Sequence, residues 1–248
     1  MHVHLPKPLH DWRAFFYEVG IIVLGILIAL TLEQLTESIH EKRIAGEARE
    51  SVKAEVRENL FWIELRETRE PCIRRRLTEL DDLLQRARGG AATPLVHNLG
   101  VLPHTKITSL RWEANAQAGR ASLFTAEEQR MLGNLYFTME QFRAAQSQEE
   151  IIWSQMRFIQ GLQQLAPIDT HELAILLAEA RYQNWVVLLS IRRTHQWAAR
   201  MQLAAANPAG VEGPTSAGAQ ICEKLTAPAI ASDNTVGTDV FAEPGDMP

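Results

Sequence analysis

The chain has 248 residues, a formal net charge of −5 and 22% charged residues. It shows no basic stripe of the kind that nucleic-acid binding requires. Its one basic cluster, Arg74-Arg75-Arg76, alternates with Glu70 and Glu79 at helical spacing, as a solvated, ion-paired face does.

Residues 1–14 read as a short tail. Phe15–Leu32 (FFYEVGIIVLGILIALTL) carries a single charge, Glu18. At ~1.5 Å per residue this stretch covers roughly 27 Å, close to the ~30 Å hydrocarbon core of a bilayer. Its apolar residues go all the way round, whereas a soluble core helix keeps a polar face. The downstream Ala29-Leu30-Thr31-Leu32-Glu33 lacks the small-residue pair of a signal-peptide cleavage site. The expectation is an uncleaved transmembrane helix over residues 15–32, with the lipid bilayer as its partner.

Lys7 and Arg13 precede the span, and Lys42 and Arg43 follow only after a Lys- and Arg-free stretch from Glu33 to Glu41. The bias places the N-terminus in the cytoplasm and the larger part outside, in the periplasm if the membrane is a bacterial inner membrane. Glu18 reads either as an interfacial residue beside Trp12, Phe15, Phe16 and Tyr17, or as an intramembrane carboxylate that binds a partner. Gly25 and Ala29 form a small-xxx-small pair that admits close helix packing, as in a homodimer.

The stretch from Trp12 to Leu30 opens W-R-x-F-x-x-E and closes G-x-x-I-A over Gly25–Ala29. It resembles the opening of a group of proteobacterial single-pass membrane proteins with a short tail, one span and a charged helical continuation. Trp112-Glu113-Ala114 with Gly119, and Ala180-Arg181, are also similar to that group. The resemblance covers residues 1 to about 205. It implies membrane anchoring and helices, and no activity.

Residues 33–206 read as an outward-facing helical bundle. One helix continues from Thr31 to Glu70 with the stripe Ile44, Ala48, Val52, Val56, Leu60 and Ile63, and Pro71 breaks it. A second runs from Ile73 to Arg88 and stops at Gly89-Gly90. Leu95–Thr108 is irregular, and a short helix over Ser109–Ala118 ends at Gly119. Thr125-Ala126-Glu127-Glu128 is a capping box that opens a helix to about Leu165. Asp169-Thr170-His171-Glu172 reads as a second box, with an Ile168–Leu173 staple, opening a helix to about Ala206. The short link between these last two makes them antiparallel neighbours. Residues 207–248, rich in Ala, Gly, Pro, Ser and Thr, read as a flexible tail. The fold class is all-α: one N-terminal transmembrane helix continuing into an elongated antiparallel bundle.

Gln146 and Glu149 interrupt the apolar seam between Phe142 and Trp153, with Arg181 and Asn184 candidates to face them. Such a polar layer can bind a small ligand, fix helix register, or face water. Trp112, Trp153, Trp185 and Trp197 lie near apolar stripes and read as core. Cys72 and Cys222 allow one disulfide tying the tail to the domain, or two free thiols. No C-x-x-C, G-x-S-x-G, phosphate loop or dinucleotide fingerprint occurs, and His171-Glu172 is followed at the second ligand position by Ile175. No catalytic, metal or cofactor residues stand out. The sequence points to a non-enzymatic envelope protein that binds other envelope proteins or its own copy. The other reading is a small-ligand sensor acting through a membrane partner.

Overall fold

The computed structural model describes residues 12–208 and 219–226. It holds five α-helices: α1 (Trp12–Thr68), α2 (Glu70–Arg88), α3 (Leu110–Gln117), α4 (Ala126–Met156) and α5 (Pro167–Arg200). The fold is all-α, with no strand among the described residues. The described residues form two compact units, one of residues 12–55 and 109–130, the other of residues 56–108, 131–208 and 219–226.

In the first unit, α1 is helical from Trp12 through the apolar stretch without interruption. The window over that stretch has a mean hydropathy of 2.4, and none of it is buried. Further along, Ala48 and Val52 are buried as the stripe requires, while Ile44 is only half-buried and Ala45, outside the predicted stripe, is buried in its place. Glu55 is buried and accepts hydrogen bonds from the backbone amides of Arg111 (2.8 Å) and Trp112 (3.1 Å). It thereby satisfies two of the orphan donors at the start of α3, a task that Ser109 leaves undone.

The expected capping box at α4 is present. The Glu128 amide donates to Thr125 Oγ1 (3.2 Å), and the Thr125 amide donates to the Glu128 carboxylate (2.8 Å). Arg49 grips the same carboxylate with two bonds of 2.8 and 3.1 Å, donates to the Leu123 carbonyl and lies over the Phe124 ring. Partial burial raises the Glu128 carboxyl, but these hydrogen bonds outweigh it and hold the group below its ordinary value.

In the second unit, α4 and α5 are antiparallel. Thr138 meets Thr194 at 3.2 Å near one end, while Met156 shares a core with Leu173 and Leu177 at the other. That core also takes Ile73, Leu77, Leu80 and Leu84 of α2 and Val96, Leu99 and Leu102 of the irregular stretch. Trp153 is buried there, and its indole N–H donates to the Gly100 carbonyl (3.1 Å).

Four boundaries differ from expectation by three residues or more. Helix α2 begins at Glu70, not Ile73: α1 stops at Thr68, the break falls at Arg69, and Pro71 lies in the first turn of α2. Helix α4 ends at Met156, and a single 3-10 turn over Arg157–Ile159 follows. Helix α5 begins at Pro167, not Thr170. Proline suits the first helical position because it lacks the amide that would go unbonded there. Asp169 therefore stands third in the helix and accepts the Ala166 amide (2.7 Å), so the cap is shifted and Ile168 is exposed, with no staple. Helix α5 stops at Arg200, and the chain continues without helix to Pro208.

The flexible-tail expectation falls mostly on residues 209–218 and 227–248, which lie outside the described residues. The piece between them, residues 219–226, is different: it is packed, with Ile221 and Leu225 buried.

Candidate functional site

The apolar seams of the second unit each break at one level. Stepping by three and four, α1 and α2 read Leu60, Ile63, Arg66, Glu70, Ile73, Leu77. Helix α4 reads Phe142, Gln146, Glu149, Trp153, and α5 reads Leu177, Ala180, Asn184, Val187. All five polar residues at that level are buried.

Arg66 is the centre of the layer. Its Nη2 donates to both oxygens of Glu149 (3.1 Å each) and to Asn184 Oδ1 (3.0 Å), and its Nη1 donates to Glu70 (3.2 Å). Asn184 Nδ2 closes the ring by donating to the other Glu70 oxygen (3.0 Å). Burial pushes the Glu149 carboxyl above its ordinary value, and the neighbouring guanidinium opposes that rise without cancelling it. Arg66 Nε is buried without a hydrogen-bond acceptor.

The structure buries Gln146, Glu149 and Asn184 at this level and leaves Arg181 out of it. Arg181 is exposed and pairs with Asp81 (3.3 Å), because it falls one position past the buried Ala180 on the α5 seam. The cation is Arg66, with Glu70 as second acid. Arg66 was hidden among the alternating charges of α1, although continuing its stripe three residues past Ile63 lands on it, and Glu70, the first residue of α2, is buried where the arginine run was read as a solvated face. Gln146 sits beside this ring and bonds the Thr105 hydroxyl and carbonyl. Glu150, next to it, is half-buried and faces His104 (2.8 Å).

A second built feature surrounds Cys72 and Cys222, which are joined in a disulfide. Of the arginine run, Arg74 and Arg75 are exposed as expected, but Arg76 is fully buried. It donates to the carbonyls of Asn98 (2.9 Å), Leu99 and Glu223 and to the Glu79 carboxylate (3.0 Å). Burial lowers its pKa from the usual guanidinium value, against the pull of Glu79.

On α1, Glu18, Gly25 and Ala29 are all exposed. A side chain added at Gly25 would meet nothing within 4 Å, so that face has room for another helix. In the second unit, the expected core residue Trp185 is exposed and stacks on Tyr182 with ring centroids 6.0 Å apart. The pair borders a groove of about 430 Å³ between α4 and α5. Among the described residues, no group of three or more His, Cys, Asp or Glu is placed to hold a metal ion. No family model, curated protein or solved structure matches the chain.

Proposed function

We propose that the protein is a single-pass, membrane-anchored helical module that binds other envelope proteins or a second copy of itself, without catalysis of its own. The observation that carries this reading is the apolar stretch of α1. It is long enough to cross a bilayer, and every one of its large apolar side chains from Phe15 to Leu32 is exposed. A surface of that size finds its solvent in lipid.

The disulfide favours an oxidising compartment for the second unit, which agrees with a cytoplasmic N-terminus and a periplasmic domain in a bacterial inner membrane. The similarity to proteobacterial single-pass proteins agrees as well. The stacked Tyr182–Trp185 pair suits a protein-binding surface, where large rigid aromatics contribute most of the affinity. The polar layer fits a register device better than a ligand site, because its acids, amide and guanidinium already satisfy one another. The unbonded Arg66 Nε is the one observation that favours ligand sensing through a membrane partner.

Alkaline carbonate extraction tests the anchor: the protein stays with the membrane pellet, and release into the supernatant sinks the reading. Cross-linking in the membrane, followed by purification, tests the binding role. A stoichiometric partner or a dimer is expected, and recovery of monomer alone counts against it.

A further inference from the structure

The segment 219–226 is held against the second unit in three ways. Its Ile221 and Leu225 are buried in the core that α2 and the irregular stretch share. Its backbone is gripped by charged side chains: Arg76 donates to the Glu223 carbonyl, Arg75 to the Cys222 carbonyl, and the Leu225 amide donates to Glu79 (3.3 Å). The third hold is the covalent bond from Cys222 to Cys72.

The receiving surface is shaped for this segment. Gly100 sits at φ +87°, and a Cβ there would lie 2.9 Å from the Ile221 Cα. Only glycine adopts that backbone freely and lets the segment approach so closely. Buried Arg76 joins the two sides, since it also holds the Asn98 and Leu99 carbonyls on the groove wall.

We propose that this surface is a redox-gated groove, occupied by the chain's own 219–226 segment while Cys72 and Cys222 are bridged and vacated when they are reduced. Two buried apolar side chains and three hydrogen bonds must offset the entropy lost in ordering the whole segment. The covalent bond decides that near-balance, because it removes the undocked states. Both cysteines are partly exposed, so a thiolate has access to the bridge. A dithiol reductant supplies the chemistry. One of its thiolates attacks a bridge sulfur, the Cys72–Cys222 bond breaks and a mixed disulfide forms. Its second thiol then displaces the protein thiol. The reductant leaves as a disulfide, and the protein gains two electrons and two protons as two thiols. Release uncovers apolar groove wall and leaves Arg76 facing an open rim, a site suited to an apolar-x-x-x-apolar peptide like the one it held.

Hydrogen–deuterium exchange on the full chain in detergent micelles, with and without dithiothreitol, tests this. The amides of Ile221–Leu225 should exchange at least tenfold faster after reduction, while those of Leu173–Ile191 in α5 keep their rates. A Cys222→Ser variant without reductant should reproduce the reduced pattern. If the segment stays equally protected in both states, the bond is a passive staple and the proposal fails. It also fails if α5 exchange accelerates together with the segment, since the bond then supports the whole unit, or if both cysteines are free thiols in protein taken directly from its membrane.

Discussion

Replacing Arg66 by Met tests the polar layer most directly. The guanidinium has no exposed surface, and it makes four hydrogen bonds of 3.0–3.2 Å to Glu70, Glu149 and Asn184. Methionine fits much of the volume but removes the charge. Glu149, itself buried, then loses the guanidinium that partly offsets its desolvation. Breaking a buried pair by removing one partner costs about 3–5 kcal/mol. At about 2–4 °C per kcal/mol for a domain of this size, the midpoint should fall by roughly 6–20 °C. Thermal unfolding of the full chain, followed by tryptophan fluorescence, reads it.

The double variant Arg66→Met with Glu149→Leu should recover most of that loss. It removes two of the layer's three buried charges and leaves Glu70 with the Asn184 amide and the exposed Arg74 guanidinium (3.6 Å). A single variant within about 0.5 kcal/mol of the parent, the range of an inert surface change, would refute the layer's structural weight. A double variant less stable than Arg66→Met would refute the charge argument.

Three further outcomes follow from the geometry. The folded-state carboxyl of Glu149 lies above its ordinary 4.5, so the folded protein binds this proton more tightly than the unfolded chain does. Its contribution is present at low pH and is lost as pH rises from 4.5 through the raised value. The stability of the parent relative to Glu149→Gln should fall across that window in urea titrations, and a flat difference contradicts the assignment. Gly100→Ala should cost about 1–3 kcal/mol in thermal melts, from the positive φ and the Cβ clash with Ile221, whereas alanine at the exposed Gly133, inside α4 with nothing within 4 Å, should stabilise by about 0.5–1 kcal/mol. Glu128→Ala removes both the return half of the capping box and the grip of Arg49. It should cost about 1 kcal/mol, with exchange at the first turn of α4 accelerating and the rest of the helix unchanged.

The helices were legible because their signals are local. The span is a composition signal, Pro71 marks a break that falls two residues before it, at Arg69, and Thr125-Ala126-Glu127-Glu128 closes its box within four residues. The start of α5 was misplaced because Asp169 is a good cap residue, while Pro167 is a better first helical residue; propensity at one position does not arbitrate between two legal starts. The site was legible by halves. A break in an apolar seam reveals Gln146, Glu149 and Asn184, since each sits where a large apolar residue belongs. Arg66 and Arg76 escaped because each lies in a charge-rich run, and burial of a charge depends on neighbours distant in sequence: Glu149 and Asn184 for one, Leu99 and Glu223 for the other. The docked segment escaped for a similar reason. Ile221 and Leu225 are isolated apolar residues in a polar stretch, and only the partner surface gives them a core.

The placement of the polar layer explains why so costly a cluster suits this domain. Within the second unit the buried stripe of α1 runs Val56, Leu60 and Ile63, all branched aliphatic side chains. A helix with such a seam can slip against its neighbours and still bury apolar surface. A two-oxygen grip by Arg66 on Glu149 cannot slide: one turn of slip, about 5.4 Å, parts Arg66 from Glu149 and Asn184 and leaves a buried carboxylate without its cation. The layer thus penalises every register but one. Arg66 exerts that penalty from the last turn of α1, two residues before the break into α2, where the hydrogen-bond ladder of α1 ends and sliding would otherwise meet least resistance.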